Sequence, residues 1–347
     1  MNRNWLVITC ITILLLGSIF YLHYKKQKSQ PPEGLTNQQI GGLQNIQSER
    51  LNMPLAQYCI KSSYNSAYDG SKITTKQLTQ VIVKGVRFID LEIYLINDTP
   101  CVGYSTDKSL TNLDSTNSIP LNDIFTAILS NCFSSNNCSN FNDPFFIHLR
   151  IKTKEEDRNS IYKKVAATID TFFGKSKTKL YLDEHEKPIP VNETTILKDI
   201  LSKVIFIIDK SINPDYANYT NCYNDKQCVD LTNYINMESG GNTMSIEYFD
   251  TILNKQTKPP VIMNDFKTTN ANSIQFVVPP PIGKNKNPDL NMIKQYITQY
   301  GIQNIAFQFW DTTTNLDIYE SIFQNYKTAF IPLAYIVRDL NQNNLNL

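Results

Sequence analysis

Residues 84–94 read KGVRFIDLEIY, and the alternation inside that run decides how the chain is organised. Positions 86–92 are mostly β-forming apolar residues, interrupted by Arg87, Asp90 and Glu92. In an extended strand successive side chains point to opposite faces, so Asp90 and Glu92 lie on one face, two residues apart. Two acids held together in this way need a cation or an arginine between them. They fall at the strand's carboxyl end, which is where chemistry sits in a parallel α/β barrel.

Outward from this run, short β-rich segments alternate with amphipathic helical ones. The spacing predicts strands at 57–61, 86–92, 100–103, 145–151, 204–208, 261–263, 274–278 and 305–310, with a further β-like run at 329–333. Helices are expected at 75–84, 121–129, 154–173, 289–300 and 316–325. Eight strands without a Gly-rich loop after the first indicate a TIM-type (β/α)8 barrel over residues 51–340 rather than a doubly wound sheet. The polar stretch 210–242 is expected to lie outside that barrel. Other strand ends place Tyr64 and Asn65, Tyr104 to Thr106, Arg150 and Lys152, Asp209 and Lys210, Asp265 and Lys267, and Asp311 at one rim. The competing explanation is that loops beginning there are polar in any case.

Residues 5–22, WLVITCITILLLGSIFYL, carry no charge. As a helix they span about 27 Å, close to a hydrocarbon core of about 30 Å. A retained single-pass transmembrane anchor is expected rather than a cleaved signal, because the apolar run is long and no small-x-small site follows. Residues 23–50 are expected to form a flexible linker. Lys25, Lys26 and Lys28 against Arg3 favour a cytoplasmic body. Glycosylation patterns at Asn97, Asn137, Asn192 and Asn218 favour the opposite side, and the side stays open. The net charge of +1 gives no sign of a nucleic-acid partner. Of seven cysteines, Cys132/Cys138 and Cys222/Cys228 share one spacing in Asn-rich loops. Two short disulfides are expected there, with free thiols or a zinc site as the alternatives.

Four segments carry a resemblance. MPLAQYCIKSSYNSAYDG (53–70) resembles the opening of the phosphatidylinositol-specific phospholipase C barrel, where a similar run leads into Ser-Ser-His-Asn-Thr. KGVRFIDLEIY resembles its second strand, whose paired acids hold calcium. The helix at 121–129 followed by DPFFIHLRIK (143–152), and the stretch 300–333, are similar to later parts of the same family. The resemblance implies a first barrel half over about 51–153 and a second over about 232–340. It also implies calcium-assisted cleavage of an inositol phospholipid by two histidines.

Carried over position by position, the resemblance makes Asn65, Asp90 and Glu92 the remnant of the calcium site, with Arg150 in place of the fourth ligand. The first catalytic histidine falls on Tyr64 and the second on Thr106, or on Tyr104 if the loop slips by two. The arginine that grips phosphate falls near Phe276. Lys210 and Lys152 are the phosphate-binding candidates. Tyrosine titrates near 10 and threonine far higher, so neither replaces a histidine as a base at neutral pH. His23, His148 and His185 lie elsewhere and are expected to be structural or solvated. Arg150 is expected to pair with Asp90 and Glu92, so no cofactor is expected. The reading is a membrane-anchored, non-catalytic barrel binding a phosphoinositide-like headgroup or a protein partner. An active phosphodiesterase using Lys210 or a tyrosine, and a scaffold without ligand, are the alternatives.

Overall fold

The computed structural model describes residues 42–107, 112–174, 177–222, 227–263, 267–269, 273–280 and 286–345. The apolar run 5–22 lies outside the described residues. Among those described, no helix is long and apolar enough to cross a membrane.

In chain order the strands are β1 (Tyr58–Ser63), β2 (Phe88–Ile96), β3 (Thr99–Gly103), β4 (Ile119–Pro120), β5 (Phe145–Ile151), β6 (Val204–Asp209), β7 (Ile235–Ser239), β8 (Met244–Tyr248), β9 (Ile274–Val278), β10 (Asn304–Phe307) and β11 (Phe330–Pro332). Eight of them form a closed parallel ring in the order β1, β2, β5, β6, β7, β8, β9, β10 and back to β1. A single pairing, Ser62 with Phe88, joins β1 to β2. β3 and β4 extend antiparallel from β2, and β11 lies antiparallel beside β1. The helices are α1 (Thr75–Val83), α2 (Leu121–Cys132), α3 (Arg158–Ile169), α4 (Ala217–Thr220), α5 (Phe249–Ile252), α6 (Leu290–Tyr300), α7 (Thr314–Tyr326) and α8 (Leu333–Asn341). Local chemistry sets several of their ends. Thr74 caps α1 by accepting the Gln77 amide at 3.0 Å, and Asp289 caps α6 through the Met292 amide at 2.9 Å. Gly301, at φ 64°, closes α6 in the left-handed conformation that glycine adopts without strain.

β5 and β6 are apolar along nearly their whole length because ring strands are covered on both faces. The amino half of the interior is filled by Ile60, Phe88, Phe146, Ile207, Met244 and Ile274, which leave a cavity of only about 10 Å³. Asn304 also lines this layer, and the barrel is a packed core whose charged network stands in its carboxyl half.

The expected count of eight holds, but two members differ. Residues 100–103 do form a strand, yet it folds back as the antiparallel partner of β2. Residues 261–263 form no strand and make only an isolated bridge, Ile262 to Thr268. Their places in the ring belong to β7 and β8, and β7 comes from the stretch expected to lie outside the barrel. A parallel pair normally needs a crossover of a dozen residues. Here four residues suffice, because the last residue of β7, Ser239, pairs with the first of β8, Met244.

The linker expectation also needs correction at its carboxyl end. Leu43 and Ile46 are buried. The Gln44 amide donates to the Lys327 carbonyl at 2.8 Å, and the Ile46 amide donates to Asp143 Oδ1 at 2.9 Å. Leu43 fills the space where a Cβ on Gly85 would stand, 3.0 Å away. Gly85 precedes β2 and Asp143 precedes β5, so this segment is fastened at the amino ends of those strands.

Candidate functional site

The register of two neighbouring strands builds the site. Asp90 pairs with His148, and Glu92 pairs with Arg150, across the parallel β2–β5 ladder. Period-2 alternation sends all four side chains to the barrel interior, as two stacked layers.

In the lower layer Asp90 Oδ1 accepts from His148 Nδ1 at 2.8 Å. His148 Nε2 lies 2.7 Å from Ser239 Oγ. Asp, His and Ser thus stand in the order of a charge relay. All three are fully buried, with Phe88 and Phe276 against the imidazole, so no acyl or phosphoryl group can reach the hydroxyl. The relay braces the interior.

In the upper layer Arg150 holds both acids. Its Nε and Nη2 bind the two oxygens of Asp90 at 2.7 and 2.5 Å. Nη1 binds Glu92 Oε1 at 2.8 Å, and Nη2 also reaches Asn65 Oδ1 at 3.2 Å. The paired geometry gives a charge-assisted, planar grip that lysine could not reproduce. Asn65 joins the same network, donating its backbone amide to Asp90 at 3.0 Å and its side-chain amide to Glu92 at 3.2 Å. Glu92 Oε2 accepts from Tyr94 at 2.7 Å, from the Ser105 amide at 3.0 Å and from Lys152 Nζ at 3.0 Å. Burial alone would raise both carboxyls. The guanidinium overrides it, helped by His148 at Asp90 and by Lys152 and Tyr94 at Glu92, so both acids are held below their ordinary range.

Aromatic rings close the barrel above this layer. The Arg150 guanidinium stacks over the Tyr64 ring at 4.6 Å. Tyr68 packs on Tyr104 at 4.5 Å and edge-on to Trp310 at 4.9 Å. Trp310 lies beside Gly70, where a Cβ would stand 3.4 Å from the indole in ordinary contact, so it is the φ of 99° that favours glycine there. Burial pushes the Tyr64 phenol well above its ordinary range, so it is no base at neutral pH.

The other expected residues lie apart. Thr106 is exposed and donates to Asp114 at 2.7 Å. Lys210 pairs with Glu238 at 2.9 Å, outside the network. Phe276 packs inside the ring against Phe88 at 4.8 Å, where no arginine stands. Asp265 lies outside the described residues, and Lys267 sits near the amino ends of the strands. Cys222 and Cys228 are bonded to each other. Cys132 and Cys138 are free and buried, which corrects the second expected disulfide. The Cys138 thiol instead faces Arg87 Nη2 at 3.1 Å and Asn140 Oδ1 at 2.9 Å.

Calcium takes six to eight oxygen ligands. Here every oxygen of Asp90 and Glu92 already accepts from a cationic side chain, and the guanidinium fills the space between them. The residues present do not fit the ion. Among the described residues no group of three or more His, Cys, Asp or Glu side chains could hold a metal. Sequence reasoning missed Tyr94, Ser239, Tyr68 and Trp310, and it named Tyr104 as a histidine position rather than as part of an aromatic cluster. Only Tyr94 carried a local signal, since it shares the strand face of Glu92.

No curated protein matches this sequence. The fold is similar to the crystal structures of PLC21 from L. pealei and PLC21 from S. officinalis. Both give a TM-score of 0.58, at 15% and 16% identity, covering 84% of this chain. The chain spans 38% of the length of either one. Residues 51–210 match the family described as phosphatidylinositol-specific phospholipase C, X domain. Over residues 51–210 this chain is therefore similar to the X domain of the phosphatidylinositol-specific phospholipase C family, and its ring of strands is a TIM-type barrel.

Proposed function

We propose that this protein is a membrane-anchored, non-catalytic member of that family, which holds a phosphate ester at its carboxyl rim without cleaving it. The observation that carries the reading is the Arg150 guanidinium clamped between Asp90 and Glu92. Phosphodiester cleavage needs a group that titrates near neutral pH beside the attacking hydroxyl and a concentrated positive charge at the phosphate. At this rim the positive charge is spent on the two acids, Tyr64 is held protonated by burial, and His148 is sealed beneath the arginine.

A groove of about 280 Å³ beside the network suits a bound anion. It is lined by Tyr94, Asn112, Lys152, Thr153, Lys154 and Asp157 among others. Lys152 uses two of its three ammonium donors, on Glu92 and on the Ser105 carbonyl at 2.9 Å, which leaves one for a ligand. Lys154 is exposed beside it. The anchor rests on the charge-free run 5–22.

Two measurements on the full chain test this. Phosphatidylinositol should not turn over with or without calcium, and hydrolysis abolished by Tyr64→Phe would overturn the non-catalytic reading. Inositol 1-phosphate should bind in calorimetry, about tenfold more weakly after Lys154→Ala as one charge-assisted contact is lost. An unchanged affinity in that variant would move the ligand elsewhere.

A further inference from the structure

We propose that Asn97 and Asn218 carry N-linked glycans, so that the barrel faces the compartment in which oligosaccharides are transferred and disulfides form. The inference does not depend on what the carboxyl rim binds.

Each residue opens an acceptor motif, Asn97-Asp98-Thr99 and Asn218-Tyr219-Thr220. Asn97 sits at the tip between β2 and β3 with φ 48°, a left-handed conformation that asparagine adopts more readily than most residues. Asn218 lies in α4. Both are exposed, and among the described residues neither carboxamide has a hydrogen-bond partner. In both motifs the middle residue is the anchored one, and α3 holds it. Lys164 Nζ binds Asp98 Oδ2 at 2.6 Å and the Asp98 carbonyl at 2.8 Å. Arg158 donates to the Tyr219 hydroxyl at 3.3 Å and lies over its ring. A glycan can therefore extend into solvent from Asn97 and from Asn218 without displacing a packed side chain.

The other two motifs lack that freedom. Asn137 Nδ2 donates to the Ser130 carbonyl at 2.8 Å, and the middle residue of its motif, Cys138, is buried against Arg87. Asn192 is half-buried, and its Oδ1 accepts from the Thr194 amide and hydroxyl at 3.0 and 2.7 Å.

A second observation points to the compartment. Cys222, close behind Asn218 in the chain, is bonded to Cys228. Disulfides persist in oxidising spaces such as the lumen of the secretory pathway and are rare in the cytosol. Lys25, Lys26 and Lys28 argue for the cytosolic side, and the two assignments predict different masses. The donor is an oligosaccharide carried on a polyprenyl diphosphate. Asn Nδ2 forms a bond to C1 of the first sugar as the C1–O bond to the diphosphate breaks. The diphosphate leaves with the electron pair, and the amide nitrogen gives one proton to a base of the transferase.

The test expresses the full chain in cultured animal cells and releases glycans with peptide N-glycosidase in heavy-oxygen water. That treatment turns each occupied Asn into labelled Asp, which peptide mapping locates. Label at both Asn97 and Asn218 is expected, with one step of gel mobility lost in Asn97→Gln and one in Asn218→Gln. Thr99→Ala leaves Asn97 and its turn in place and should remove the same step as Asn97→Gln, whereas Thr99→Ser should keep it. A chain whose mobility the glycosidase does not change overturns the proposal, and so does an unlabelled Asn97 or Asn218, whatever label Asn137 and Asn192 carry. A step lost in Asn97→Gln but kept in Thr99→Ala assigns the loss to altered folding and overturns Asn97 as an acceptor.

Discussion

Two buried arginines sit at opposite ends of β2, and they are satisfied in opposite ways. Arg150, reaching over from β5, meets two carboxylates, and its charge is matched oxygen by oxygen. Arg87, at the amino end and fully buried, donates to no carboxylate. Its Nη1 binds the Cys132 carbonyl at 3.0 Å, and its Nη2 binds Asn140 Oδ1 at 2.7 Å, the Asn140 carbonyl and the Cys138 thiol. Its Nε has no partner, and neither does Oδ2 of Asp143. Burial pushes the Asp143 carboxyl up to about 6, against the pull of Arg87. Depth alone therefore does not decide the cost of a buried charge. A geometrically matched counter-charge does, and of these two arginines Arg150 has one and Arg87 does not.

The largest test of that contrast is Arg150→Met. It strands two buried carboxylates and should cost about 3–5 kcal/mol in urea unfolding. Adding Asp90→Asn and Glu92→Gln should recover most of the loss. Arg87→Met should cost less, about 2 kcal/mol, since it orphans carbonyl acceptors but no ion. Equal losses in the two variants would erase the distinction.

Asp143→Asn sharpens the contrast by sign. A carboxyl whose folded value is raised binds its proton more tightly when folded. Wild-type stability should then fall as pH rises from about 4 to about 6, and stay lower above. The substitution should raise stability by about 1 kcal/mol at pH 8, less than the full linkage value because Asn cannot reproduce the attraction to Arg87, and by nothing at pH 4. Asp90 runs the other way. Its value is lowered, so its contribution is present at neutral pH and lost only as pH falls below the ordinary carboxyl range. The smallest effect expected is that of Tyr94→Phe, about 1 kcal/mol or less, because Glu92 keeps four other donors. A loss as large as that of Arg150→Met would mean that the network is not shared.

The acids and Arg150 were legible because alternation along β2 and β5 is a local property, and the ladder register then brings the two pairs together. β7 was not legible. Asn236 and Glu238 break its apolar run, and no crossover helix follows to mark it as a ring strand. The aromatic closure was hidden for a different reason. Tyr68, Tyr104 and Trp310 come from three loops far apart in sequence, and nothing local to any of them announces the others. The cysteine pairs shared a spacing but not a fate, since Cys138 is drawn to Arg87 by a partner that spacing cannot report.

The four-residue step between β7 and β8 has a consequence for how the ring assembles. Ser239 and Met244 meet across five residues of chain, while Ser62 and Ala306, at the β1–β10 seam, are 244 residues apart. Loop-closure entropy grows with the logarithm of that separation, so drawing the seam together costs about 3 kcal/mol more in chain freedom than making the step. The second half of the barrel thus has a nucleus available early, and the circle is completed last at the strand pair that joins the chain's two extremities.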